Sequence, residues 1–265
     1  MFLWRNDGEL WITLQTDHMT QTGEIARLWG HGGFSPPRRT GAVTAARLHD
    51  EGWALVDVDP EFDVNTGLPV ELTGKVFGSV FGSTTMPASH YRRGVDLLLG
   101  IDKYAALIAS LHGTGVYLRD YGIDGAEIPD RGQMEPHVRQ FVEQEEQFQT
   151  RLREETGATD EEVWHDFRLF IAWNRLSQIF SRGLASGWLS QVPTTSTPEG
   201  IRINARRIDT LTVALDPYPF ENEPELAPVK TYRIPDRPYK SVRDFIGTIG
   251  ETPPFSAVYR AVAER

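Results

Sequence analysis

His18, the neighbouring pair His49-Asp50, His90 and His112 are the residues of this chain best suited to chemistry. Neutral imidazoles and carboxylates are donors for borderline divalent ions, and an imidazole beside a carboxylate at a helix end can serve one ion from a single pocket. A bound ion lowers the pKa of a coordinated water and so supplies hydroxide near neutral pH. The histidines fall on apolar helical stripes, His18 with Thr22, Ile25 and Trp29, and His112 with Tyr104, Ala105, Ile108 and Leu111. His49 follows Ala42, Ala45 and Ala46, small residues that permit close approach. An inward-facing imidazole needs a hydrogen bond or a metal, because an unpaired polar group there costs about 1–3 kcal/mol. One such ring alone reads as a satisfied core histidine. Four of them with Asp50 point to a centre for one or two divalent transition ions (Fe, Mn, Co, Ni or Zn).

Asp50 and Glu51 are the candidate catalytic carboxylates, Asp50 bridging ions and Glu51 acting as general base or standing as a solvated helix-end carboxylate. Gln15, Asp17 and Glu51 are candidates to fix the ring tautomers from behind. Arg92 and Arg93, just after His90, are the candidate contacts to an anionic substrate, with a surface charge pair as the alternative. His137 and His165, among charged helix residues, are expected in solvent. Gly30-His31-Gly32-Gly33 lacks the Lys-Ser/Thr ending of a phosphate loop. The Asp57, Asp59, Asp63 run lacks the Gly and Glu placement of a calcium loop.

The elements that must position these side chains are mostly helical. Two short strands flank Asn6-Asp7-Gly8, with Leu10, Ile12 and Leu14 alternating on the second. Asp17 is expected to cap a helix from His18 to Trp29. Helices follow near 40–51, 89–99, 102–113 and 135–155, and Thr159 with Glu162 forms a capping box for one reaching about Arg182. Residues 53–87 read as a long irregular excursion. After Ile201, segments 210–215 and 229–234 read as strands, and a short helix closes the chain. The fold class expected is mainly α, with short N-terminal strands. The division expected is a helical metal-binding domain over 1–195 and a small β-containing extension over 196–265, packed on the core.

The chain has 265 residues, 40% hydrophobic and 24% charged, which suits a soluble globular protein with a sizeable core. Its net charge of −10 argues against a nucleic-acid surface, where Lys and Arg must cluster on phosphates. It contains no cysteine, which removes disulfides, thiolate metal sites and cysteine nucleophiles. No signal-like or membrane-spanning apolar run occurs, so a cytoplasmic location and a small-molecule substrate are expected.

The order His18, His49-Asp50, His90, His112 resembles the HD-domain superfamily of metal-dependent phosphohydrolases. Three segments more closely resemble an uncharacterised bacterial domain family: Gln15-Thr16-Asp17-His18, His49-Asp50-Glu51-Gly52-Trp53, and Tyr104 to His112. Leu211 to Phe220, ending Asp-Pro-Tyr-Pro-Phe, resembles that family's C-terminal part. The HD resemblance implies an HD-domain-like helical core holding one or two metals. By position His18, His49 and Asp50 match its first ligands, and His90 and His112 the extra histidines of dinuclear members. Its late aspartate has no counterpart: Asn174 stands there, with Asp166 one face-sharing alternative. The implied function is phosphohydrolysis of a small phosphorylated metabolite or nucleotide. A dinuclear iron oxygenase, or a degenerate non-catalytic ligand-binding domain, are the other readings the same residues leave open.

Overall fold

The computed structural model describes residues 1–70 and 88–264. Asp7 and Gly8, at φ 51° and 79°, make the tight turn that folds β1 (Phe2–Asn6) onto β2 (Glu9–Thr13). Helices α1 (Gln15–Leu28) and α2 (Gly41–Leu48) follow, then a 3-10 turn at Glu51–Trp53 and the short α3 (Ala54–Val58). A two-residue hairpin, β3 (Phe62–Asp63) with β4 (Leu68–Pro69), comes next. The long helices are α4 (Ala88–Leu99), α5 (Lys103–Tyr117), α6 (Pro136–Thr156) and α7 (Asp160–Ser181). The chain continues through β5 (Ser186–Val192), β6 (Ile201–Arg207), β7 (Thr212–Asp216) and β8 (Val229–Pro235). It closes with α8 (Val242–Glu251), β9 (Phe255–Ala257) and β10 (Arg260–Ala263).

Local chemistry sets the helix ends. The Asp102 side chain accepts the backbone N–H groups of Tyr104 and Ala105 at the start of α5. Pro136 opens α6, and Gly157 at φ 60° ends it in the left-handed conformation that glycine adopts without strain. The Thr159–Glu162 capping box opens α7 as the sequence predicts. At the other end of α7, the Arg207 guanidinium of β6 donates to the Ile179 and Phe180 carbonyls at 2.6 and 3.2 Å, tying strand to helix. The main core lies around α5 and α7, where Leu107, Ile108, Phe167 and Trp173 are fully buried.

The expectation of a mainly α, HD-like helical fold is corrected. The fold is mixed α/β, and the described residues form two four-stranded sheets, ordered β1-β2-β8-β9 and β10-β7-β6-β5, plus the hairpin. Strands such as β6 bury only Ile203 and Ala205 while Arg202, Asn204 and Arg206 face solvent. That half-buried alternation gives a far weaker apolar signal than a helix stripe. The pairings β2–β8 and β5–β6 both run across the boundary expected at 195/196. Of the expected irregular excursion, residues 53–70 hold α3 and the hairpin, and 71–87 lie outside the described residues.

One glycine sets how closely the 3-10 turn meets α4. A Cβ on Gly52 would overlap the His90 carbonyl oxygen and sit 2.8 Å from the Gly94 nitrogen. Backbone meets backbone here, so neither side can yield by a rotamer change. Gly52→Ala is therefore expected to destabilise the fold by about 1–3 kcal/mol, read as a lowered urea midpoint.

Candidate metal centre

α1 begins where the Asp57 carboxylate of α3 accepts the Gln15 and Thr16 backbone N–H groups at 2.8 and 3.4 Å. Asp57 thus does the capping expected of Asp17, which instead sits in the first turn. This start places His18 one turn into α1, facing α7. α2 ends at His49, and Asp50 follows before the 3-10 turn. His112 comes from α5, and Asn174 and Ser177 from α7.

His18, His49 and Asp50 are buried, and each offers a donor atom within 4.8 Å of the others'. Among the described residues this is the one such group. The His49 Nδ1–H donates to the Ala46 carbonyl at 3.0 Å, since a carbonyl can only accept. Its buried Nε2 makes no hydrogen bond, and the Asp50 Oδ2 lies 3.4 Å from it. His18 contacts Ser177 Oγ through Nδ1 at 2.7 Å and Asn174 Oδ1 through Nε2 at 2.8 Å. The rings pack edge to face: His18 on His49 with centroids 5.6 Å apart, His49 on His112 at 5.2 Å, and both His49 and His112 on Phe170.

Burial drives the His18 imidazole down to about 3 and the His112 imidazole to about 4, in each case reinforced by His49. Both rings are therefore neutral near pH 7, the form that offers a lone pair to a cation. Burial alone would raise the Asp50 carboxyl, but the three imidazoles, His49 foremost, hold it below the ordinary carboxylate range. The Tyr91 hydroxyl is pushed well up by burial and then by Asp50. What results is a buried cluster of one carboxylate and three imidazoles.

The remaining expected site residues fall elsewhere. His112 touches His49, but it is outside the three-residue donor group, and its buried Nδ1 makes no hydrogen bond. His90 is half-buried against the Trp53 ring, 5.0 Å between centroids, and is not in that group either. Glu51 lies half-buried in the 3-10 turn. Arg92 pairs with Asp96 and with the buried Glu145, both at 2.9 Å, and stacks over Phe148. Arg93 is exposed on α4. Asp166 accepts the Arg38 and Arg39 backbone N–H groups and the Tyr104 hydroxyl, so its oxygens hold the approach to α2. His165, expected in solvent, is buried with Nε2 on the Pro36 carbonyl, whereas His137 is exposed.

Sequence reasoning missed Ser177 and Gln21. The signal was available, because Gln21 lies three residues after His18 on α1, and Ser177 three after Asn174 on α7. It also missed the turn at Arg119, Asp120 and Tyr121, three consecutive non-glycine residues at φ near 50°. Such backbone costs about 1–2 kcal/mol per residue, offset here by the Tyr121 ring packed on Trp164 and Phe167.

The turn presents Asp120, which burial and then Asp124 raise to about 6 against the pull of Arg175. A carboxyl raised in the fold holds its proton longer there than in the unfolded chain. Its contribution is full below about pH 4 and is lost as pH climbs through about 6. Asp120→Asn is expected to raise stability at pH 7 by about 1–3 kcal/mol and to flatten the melting temperature between pH 4 and 7.

Among the described residues no helix is long and apolar enough to cross a membrane. No curated protein and no solved structure matches the chain. One family model does, over residues 1–235, and its reach takes in His18, His49, Asp50, His112, Asn174 and Ser177. The chain belongs to the family described as "Protein of unknown function (DUF3891)".

Proposed function

We propose that this chain is a divalent-metal-dependent hydrolase acting on a small phosphorylated metabolite or nucleotide, with the ion held by His18, His49 and Asp50. The observation that carries the reading is the buried His49 Nε2, which makes no hydrogen bond and lies 3.4 Å from the Asp50 Oδ2. A ring nitrogen and a carboxylate facing one another in a buried site call for a positive centre between them. A divalent ion meets that need, and the donor types suit Mn, Fe, Co, Ni or Zn. When bound, it would bring a coordinated water toward hydroxide at neutral pH. Asp50, the one carboxylate of the group, would be the residue to accept a proton from such a water.

The ligand order His, His-Asp follows the HD-type pattern, and the proposal borrows that chemistry on a mixed α/β frame. Arg92 is committed to Asp96 and Glu145, so phosphate binding falls to the ion and to residues other than this arginine.

The test is phosphate release from a panel of sugar phosphates and nucleotides by protein reloaded with Mn2+ or Co2+. Turnover that disappears in Asp50→Asn supports the reading. Iron-dependent dioxygen consumption in place of phosphate release would move it to the oxygenase chemistry that the same ligands allow. Tight metal binding without either reaction would make the chain a ligand-binding module, the reading that the neutral Asn174 amide favours.

A further inference from the structure

We propose that Ser177 and Gln21 form a positioning relay that fixes His18 as the Nδ1–H tautomer, so that His18 Nε2 and the Asn174 amide oxygen clasp one divalent ion. The proposal rests on the metal-centre reading above and deepens it, adding a neutral oxygen ligand and the residues that aim the imidazole.

Ser177 Oγ has three polar neighbours: Gln21 Oε1 at 2.7 Å, the His18 carbonyl at 3.2 Å and His18 Nδ1 at 2.7 Å. The first two can only accept, and the hydroxyl has one proton to give. With the Gln21 oxygen turned toward it, a proton given to either of them leaves Oγ an acceptor toward the ring, and Nδ1 then carries the hydrogen. Ser181 Oγ lies 3.4 Å from the same Gln21 Oε1, so in this orientation the amide oxygen faces both serines while the amide nitrogen is buried without a hydrogen bond.

The opposite ring nitrogen is consequently bare, and it meets Asn174 Oδ1 at 2.8 Å. Turning the Asn174 amide over would relieve that contact, but Gln178 Nε2 donates to this oxygen at 3.4 Å and would then face another donor. Two acceptors at this separation are repulsive on their own. They match neighbouring ligands of one ion, since donors about 2.1 Å from a metal at a right angle stand about 3.0 Å apart. His49 has the same layout, with Nδ1 on the Ala46 carbonyl and Nε2 without a hydrogen bond beside Asp50. Both rings are thus aimed from behind at the same pocket. A set with Asp50 as its one charged ligand leaves a divalent ion with net positive charge, which suits an anionic substrate.

Long-range 1H–15N spectra of the metal-free wild-type protein read the tautomer directly and require no variant. The expected result is Nδ1–H at His18, changing to Nε2–H in Ser177→Ala, where the ring is free to donate to Asn174 Oδ1. Titration with Zn2+ alone should then show affinity about 10- to 100-fold weaker in Ser177→Ala and in Asn174→Ala than in wild type. An Nε2–H or doubly protonated His18 in the wild type overturns the relay. Zn2+ affinity unchanged in both variants overturns the clasp while leaving the metal centre standing. A wild type that takes up no Zn2+ overturns the clasp together with the function reading beneath it.

Discussion

Protein carrying His49→Ala is expected to lose its metal almost entirely when purified without added ions, against about one equivalent in the parent. The size of the effect follows from what the ring does in the fold. Its Nδ1–H is anchored on Ala46 and its Nε2 is buried without any other partner. Among the described residues the three-residue donor group has no other histidine than His18, and His112 lies outside it. Elemental analysis of both proteins gives the answer and identifies the ion. Equal metal content in parent and variant, or none in either, would sink the centre.

Phe170→Ala is expected to show the largest loss of stability, about 3–5 kcal/mol, because a fully buried aromatic is exchanged for a cavity. The ring is stacked 6.2 Å from Phe167 and forms the wall against which His49 and His112 rest, at 5.1 and 5.2 Å. Removing it should also loosen both imidazoles, so metal affinity falls along with the urea midpoint. Phe170→Leu retains much of the volume and should cost less than about 1.5 kcal/mol. A loss under about 1 kcal/mol for the alanine variant would mean that the core and the centre are not coupled through this ring.

The difference between what was legible in the sequence and what was not has a physical basis. Local signals carried well: the Asp7-Gly8 turn, the Thr159–Glu162 box and the apolar stripes around His18 and His112 depend on residues a few positions apart. Helix positions could be read because a buried stripe repeats over many turns. The strands β5, β6, β9 and β10 were not read, since three to seven residues with one face in solvent leave little periodic pattern.

The site divides in the same way. The His18, His49, Asp50 group was legible because histidines are few in this chain and each of the three residues lies on a recognisable helix end or face. The distribution of the arginines was not, because Arg92 finds Glu145 on α6, a partner far away in sequence. Capping of α1 by Asp57 was hidden for the same reason, with a carboxylate from a later element doing what the sequence predicts for the nearby Asp17.

The two outermost strands near the end of the chain have a consequence for handling it. β9 borders β8 in one sheet and β10 runs parallel beside β7 in the other, and both lie past residue 235, where the family match stops. A fragment trimmed to the matched region would bare a row of unsatisfied peptide groups on each of two sheets. Such ladders recruit other chains, so the shortened protein should self-associate and precipitate, and a peptide spanning 236–264 should suppress this.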